Sequence, residues 1–342
     1  MKSIANLPSP IGLTKKEILD ILLREEYGEM PELAKSVSAE EIKCDTSFCA
    51  GKASLKTLKL TCRAGWGEYS FPVYYACPAK GENIPAFIHI NFRSNIPDIY
   101  QPTEELIDSG YATLTFCYED VTKDNNDFES GLSGVIYPGG KRENHHCGKI
   151  GLWALATIAV MEYAQTLPEL NKGKISVVGH SRLGKTALLA GALDERFYCA
   201  FSNDSGCSGA AISRENTGES IRNITRTFPF WFCENYQKYA DNENLLEFDQ
   251  HYLIAGNAPH RVYVASAGED SWACPENEFI SCVEAGKYYE SIGILGLVHD
   301  DVMPSTSENL HDGYIGYHIR DGKHYLGRED WQRYISFLGK HK

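Results

Sequence analysis

The sequence predicts an α/β fold in three layers, a mostly parallel sheet with helices covering both faces. Three observations point to it. Short apolar and β-branched runs alternate with stretches of helical periodicity, the rhythm of strands joined by crossover helices. One of these runs, Ile175-Ser176-Val177-Val178, leads through Gly179-His180-Ser181-Arg182-Leu183-Gly184-Lys185 straight into Thr186-Ala187-Leu188-Leu189-Ala190, a strand, a tight turn and a helix. Finally, the 342 residues contain no low-complexity linker, internal repeat or long Pro/Ser-rich run, so a single domain with decorating loops is expected over residues 1–342.

The elements follow in order. Thr14-Lys15-Lys16-Glu17 has the Thr-x-x-Glu form of a capping box, Ile18, Ile21 and Leu22 continue at helical spacing, and Gly28 supplies a stop. Residues 1–50 are therefore expected as a helical extension outside the main sheet. Strand-like runs come next at residues 57–63, 71–77, 86–91 and 112–117, separated by Gly, Pro and Asp/Asn clusters. Their spacing predicts an opening antiparallel hairpin that passes into alternating strands and helices. Ile150, Trp153, Ala154, Thr157, Ile158 and Met161 recur every three or four residues, which predicts an amphipathic helix ahead of the Ile175 strand. A helix over about residues 183–193 follows the turn at Ser181. Residues 197–202 and 262–266 are further short strands, each ending in a polar cluster where chemistry gathers in parallel sheets. Between them, residues 205–259 break the rhythm and are expected as a helical insertion that shapes a cleft. A final helix contains Trp331.

Composition narrows the possible partners. A formal net charge of −13 argues against nucleic acid and against anionic membranes, because neutralising phosphates requires a basic face. No apolar run approaches the roughly 18 residues of a membrane span. The stretch from Met1 to Pro8 has one lysine and no apolar core of the kind a signal peptide carries, so a cytoplasmic location is expected. Eleven cysteines, an odd number without CxxC pairs, fit reduced thiols better than a disulfide framework. His145-His146-Cys147 lacks the second ligand pair that a zinc site needs. Neither a metal nor an organic cofactor is expected, and the expected state is a monomer.

The chemistry centres on Ser181. A serine held between strand and helix, with small or glycine neighbours, has the geometry of a nucleophile elbow, whose backbone projects the hydroxyl toward a base and N–H groups toward a developing oxyanion. The G-x-S-x-G spacing is not kept, since the fifth position is Leu183 and the glycine arrives at Gly184. Carboxylates close two of the strands: Asp204 in Asn203-Asp204-Ser205-Gly206, and Asp270 in Gly268-Glu269-Asp270-Ser271-Trp272. Strand-end carboxylates also serve simply as turn formers. His324, in Arg320-Asp321-Gly322-Lys323-His324-Tyr325 before the last helix, is the candidate base, while His299, His311 and His318 read as packing or surface residues. Ser, then Asp, then His is the chain order of an α/β-hydrolase triad.

Over about residues 85–342 the chain resembles the glucuronoyl esterases of carbohydrate esterase family 15, their bacterial branch in particular. The resemblance is carried by the segment 179–185, by Asn203-Asp204-Ser205-Gly206-Cys207-Ser208-Gly209-Ala210-Ala211, by Phe228-Pro229-Phe230-Trp231-Phe232-Cys233-Glu234-Asn235-Tyr236, by Glu269-Asp270-Ser271-Trp272, and by Gly316-Tyr317-His318-Ile319-Arg320-Asp321-Gly322-Lys323-His324. The displaced glycine is itself a feature of that family. The resemblance implies Ser181 as nucleophile and His324 as base. It implies Arg182 as the oxyanion arginine, through its backbone N–H and its guanidinium, and Lys185 as a ligand of sugar hydroxyls. Trp272 would stack on the uronate ring and Glu219 would accept hydrogen bonds from its hydroxyls. The family's acid follows either of two strands and this chain carries a carboxylate at both, with Asp270 expected as the main partner of His324 and Asp204 in support. Asp204 stands where many members have glutamate, which shortens its reach.

The expected activity is therefore that of a serine carboxylesterase, cleaving esters whose acid is a (4-O-methyl-)glucuronic acid and whose alcohol is methyl or a larger aromatic group, as in glucuronoxylan–lignin linkages. A cytoplasmic enzyme would act on imported, short uronate esters. Two rivals use the same residues differently: an acetyl-xylan or other small-acyl esterase, in which the sugar is the alcohol, and a catalytically silent carbohydrate-binding relative.

Overall fold

The computed structural model describes residues 2–341. Its sheet runs through β1 (Ser36–Ser47), β2 (Ala53–Ala64), β3 (Gly67–Pro78), β4 (Ile84–Asn91), β5 (Ala112–Cys117), β6 (Leu170–His180), β7 (Cys199–Asn203), β8 (Arg261–Ala267) and β9 (Ile315–Arg320). The spatial order is β1-β2-β3-β5-β4-β6-β7-β8-β9. Pairing is antiparallel from β1 to β5 and parallel from there to β9, so the opening hairpin feeds a parallel sheet.

Because successive strand residues face opposite ways, the sheet divides the apolar side chains between two cores. Val177, Ala200, Val262 and Val264 join the larger one with the helices α1 (Lys15–Leu22), α2 (Lys149–Ala164) and α3 (Arg182–Leu193). Their sequence neighbours Val178, Phe201, Tyr263 and Ala265 join the smaller one, closed by Trp331, Tyr334, Phe337 and Leu338 of α6 (Arg328–Lys340). Between α3 and α6 lie α4 (Ile221–Thr227) and α5 (Pro275–Ser291), the latter adding Phe279 and Cys282 to the larger core. The chain thus forms the three-layer α/β-hydrolase architecture, and all the parallel strands deliver their carboxyl ends to one edge.

Two expectations require correction. The N-terminal 50 residues are only partly a helical extension. The capping box of Thr14 and Glu17 is present, and α1 continues through a π-helical turn at Leu23–Tyr27 to Gly28 at φ +87°. Residues 36–47, however, are β1, the outer edge of the sheet. Its side chains are almost all exposed and many are charged, which suits an edge strand but leaves no apolar alternation to read. The second correction concerns α2, where the three-and-four spacing suggested one apolar face. All of its residues except Glu162 and Tyr163 are buried, including Lys149, so it is a core helix with no wet side.

Residues 205–259 hold α4, 3-10 turns at Glu234–Tyr239 and Glu243–Leu245, and a short helix at His251–Ala255, joined by irregular chain. A buried ion pair fastens this segment to itself. Asp249 accepts from Arg214 at 2.9 Å and from the Ser213 N–H at 2.6 Å. All eleven cysteines are free thiols. Among the described residues no helix is long and apolar enough to cross a membrane.

Candidate active site

Ser181 joins β6 to α3 at φ +58° and ψ −126°, a conformation that L-residues adopt rarely and that functional turns tend to retain. The glycines around it make the turn possible. A Cβ at Gly179 would lie 1.9 Å from the carbonyl oxygen of Leu183, so the strand can pass beneath the helix only without one. A Cβ at Gly184 would lie 3.0 Å from both Ser202 Oγ and Ser205 Cβ. The displaced glycine is thus where α3 crosses the end of β7, whereas Leu183 is free to be large and fills the core. The Ser181 N–H is bound to Asn203 O at 2.8 Å, so the backbone donor left beside the Ser181 side chain is that of Arg182, the first N–H of α3 and one without an intrahelical partner.

His324 and Asp270 meet at 2.6 Å through Nδ1 and a carboxylate oxygen. Asp270 is buried while the imidazole is partly open to the cleft, the arrangement that fixes one tautomer and leaves Nε2 for proton transfer. Asp204 is close by: one polar atom from each of Asp204, Asp270 and His324 lies within 4.8 Å of the others. It is engaged elsewhere, however, accepting from Arg320 Nη2 and from the Tyr325 N–H, each at 3.2 Å. Burial, then the nearby Glu278 carboxyl, push the pKa of Asp204 well above the usual carboxylate range, against the attraction of Arg320. These three groups are the described set best placed to converge on a cation, but Arg320 already supplies the positive charge at Asp204 and His324 Nδ1 is committed to Asp270. His318 lies away from this cluster, buried between Asp330 and Tyr263, and His311 bonds Tyr263 as well.

Behind His324 stands His180, with ring centroids 4.4 Å apart. Burial, and the proximity of His324, lower its pKa to about 3, so it packs there as a neutral ring held by Asn203 Oδ1 at 2.6 Å.

The remaining wall combines charged and aromatic side chains. The Arg182 guanidinium binds Asp124 and lies 4.7 Å over the Trp231 ring, which in turn stacks on Phe228 at 3.8 Å. Asp124 also accepts from Trp231 Nε1 at 2.7 Å and from the Tyr118 hydroxyl at 3.0 Å. The arginine is therefore fixed on two sides before any substrate arrives. Lys185 is buried, with Nζ donating to the carbonyls of Ser205 and Cys207, which leaves the third of its N–H donors for the cavity. Burial lowers its pKa, and the charge of Glu219 opposes that shift. Glu219 is held by its N–H to Trp272 O at 2.9 Å, and Trp272 itself is 55% exposed at the rim. Ser181, Arg182, Lys185, Asp204, Glu219, Asp270, Trp272 and His324 all line one cavity of about 340 Å³.

The structure also brings in residues that had no role in the sequence reading. Phe228 and Trp231 sit within an aromatic run that marks a cleft wall, a usable signal. Asp124 does not: Lys123-Asp124-Asn125-Asn126 reads as an ordinary turn, and only the closed fold carries it to Arg182.

A family model described as glucuronyl esterase of fungi matches residues 60–293. "Carbohydrate esterase MZ0003", from an unknown prokaryotic organism, is 40% identical over 240 residues, which cover 70% of this chain and 55% of that protein. The 4-O-methyl-glucuronoyl methylesterase of Podospora anserina is 27% identical over 82% of this chain and 56% of its own length. The chain thus spans little more than half the length of these curated relatives. Among solved structures, the glucuronoyl esterase of Solibacter usitatus superposes with a TM-score of 0.90 at 28% identity, covering 98% of both chains. A promiscuous esterase of carbohydrate esterase family 15 from a marine bacterial metagenome gives a TM-score of 0.87 at 30% identity, over 98% of this chain and 97% of that one.

Proposed function

Given that the chain belongs to the glucuronoyl esterase family, carbohydrate esterase family 15, we propose that it is a serine esterase that hydrolyses esters of glucuronic acid or its 4-O-methyl ether. The observation that carries this reading is the convergence, on one cavity, of an elbow serine, a His–Asp pair and a cation–carboxylate–aromatic set suited to a uronate. Ser181 gives its proton to His324 and attacks the ester carbonyl, while Asp270 stabilises the imidazolium through the bond to Nδ1. The Arg182 N–H and guanidinium stabilise the oxyanion, the latter held in place by Asp124 and Trp231. His324 then protonates the departing alcohol, and a water, deprotonated by the same imidazole, releases the uronate from Ser181. Lys185 and Glu219 hold the ring hydroxyls, and Trp272 covers the ring face from the rim.

The test is a substrate panel run on the wild type and Ser181→Ala. Methyl glucuronate should be hydrolysed and an acetylated xylooligomer much less so, with the variant losing about 10⁴-fold or more in kcat. Preference for the acetylated oligomer would place the sugar in the alcohol and the small acyl group on Ser181. A wild type that hydrolyses neither and leaves Ser181 unlabelled by a fluorophosphonate would be a binding protein.

A further inference from the structure

Behind the cavity, on α5, Glu278 is fully buried and takes part in none of these steps. Its Oε1 accepts from the Gly206 N–H at 2.8 Å, and its Oε2 lies 2.6 Å from Ser266 Oγ. One side chain thus ties the loop after β7, which carries Asp204 and the Ser205 and Cys207 carbonyls on Lys185, to the end of β8 just before Asp270. Tyr317 Oη stands 3.0 Å from Ser266 Oγ and 3.3 Å from Pro275 O.

This row of hydroxyls can point in either direction. With Glu278 ionised, Tyr317 donates to Ser266 and Ser266 donates to Glu278. With Glu278 protonated, Glu278 donates to Ser266, Ser266 to Tyr317, and Tyr317 to the carbonyl of Pro275. In both arrangements the Gly206 N–H keeps its acceptor and no polar atom of the row is stranded, so a proton can come and go without the usual penalty of an unpaired buried group. The charged and titratable groups facing Glu278 are Asp204 from the loop after β7, Asp270 from the loop after β8, Lys185 from α3, Tyr317 from β9 and Cys282 on its own helix. Burial raises its pKa to about 7, against the lowering by its bonds to Ser266 and Gly206.

We propose that Glu278 is a positioning residue, which fixes the Lys185 and Asp204 loop against Asp270 and places a switchable negative charge behind the Asp270–His324 pair. The proposal rests on the esterase reading only through the role given to that pair. When charged, Glu278 favours the imidazolium; when neutral, it does not.

Glu278→Gln tests this, because the amide can accept from Gly206 and donate to Ser266 as the protonated acid does. Two readouts need no uronate substrate. In the infrared difference between wild type and Gln variant, which cancels the bands of Glu26 and Asp204, one protonated carboxylic acid band should be present at low pH and disappear as pH rises through neutrality. The rate at which a fluorophosphonate labels Ser181 should have its acid limb moved to lower pH in the variant, by a few tenths to about one pH unit. Tyr317→Phe, which removes the acceptor the protonated form needs, should move the infrared titration to lower pH. Identical bands and labelling profiles in wild type and Gln variant would overturn the proposal, reducing Glu278 to a structural hydrogen-bonding group. A shifted profile in a protein that leaves methyl glucuronate intact would support the role of Glu278 and reject the proposed substrate.

Discussion

Asp270 and Asp204 both approach His324, yet only Asp270 bonds it, at 2.6 Å, while Asp204 is committed to Arg320 and the Tyr325 N–H. The two should therefore differ under the same substitution. Asp270→Asn is expected to lower kcat by about 10⁴-fold, the loss seen when a lone triad aspartate can no longer fix the imidazole tautomer. Asp204→Asn is expected to cost less than about tenfold in kcat, because the His324 bond survives. Comparable losses, measured on one small ester, would mean that the two carboxylates share the imidazole. Lys185 and Trp272 differ in another way, for their side chains line the cavity while the Lys185 ammonium is bonded to the carbonyls of Ser205 and Cys207 and the Trp272 ring stands at the rim. Their alanine variants should lose far more kcat/KM on methyl glucuronate than on p-nitrophenyl acetate, which offers no sugar to hold. Equal losses on both esters would point to damage in the loop of Ser205 and Cys207, to which Lys185 is bound.

The elbow is an element in which two glycines act at different places, one under the helix and one against β7. Gly179→Ala would put a methyl group 1.9 Å from Leu183 O, a clash with backbone that no rotamer relieves. Overpacking of this kind costs about 1–3 kcal/mol, so the unfolding midpoint should fall and Ser181 labelling should slow together. Labelling at the wild-type rate would show that the turn tolerates a shift of α3. This element was legible because a buried strand of the parallel sheet reads as a short apolar or β-branched run, as β4, β5, β7, β8 and the second half of β6 do. The strands that escaped had no such run. β1 is exposed along nearly its whole length and carries Glu40, Glu41, Lys43 and Asp45, and β9 reads Ile-Gly-Tyr-His-Ile-Arg, whose buried His318 and Arg320 are satisfied by Asp330 from α6. Polar residues become core residues only through a partner that the sequence places in another element. For the same reason the positions of Ser181 and Asp270 at strand ends, and of His324 ahead of the last helix, could be read, whereas the anchoring of Arg182 by Asp124 could not. The spacing in α2 failed differently, since a three-and-four pattern also fits a helix buried on every side.

Across the whole molecule, buried titratable groups set how stability follows pH, and two neighbouring carboxyls in the π-helical turn after α1 act in opposite directions. Glu25 keeps a pKa of about 2 because bonds from Lys238, Tyr239 and Arg24 outweigh its desolvation. Its contribution is present above the ordinary value of 4.5 and is lost only as pH falls toward 2. Glu26 is fully buried, and desolvation raises its pKa to about 8 against a bond from Gln250 at 3.0 Å. The folded chain therefore holds a proton there that the unfolded chain releases near 4.5, so this contribution is complete below 4.5 and disappears as pH rises through 8. Glu278, raised to about 7, and Asp204, raised as well, add to the same slope. Below pH 6.5 the buried rings of His89, His180, His251 and His311 oppose these carboxyls, because the unfolded chain takes up protons that the folded rings refuse, so the loss of stability should show between pH 6.5 and 8, where Glu25 contributes no change. Glu26→Gln keeps a neutral group in place and removes its share of that slope, on the order of a few kcal/mol. Calorimetry at pH 5.5 and pH 8 should show the variant gaining several degrees over the wild type at the higher pH and little at the lower. A variant whose unfolding temperature differs from the wild type by the same amount at both pH values would mean that Glu26 does not carry the proton, and that the carboxyl slope arises at Glu278 and Asp204.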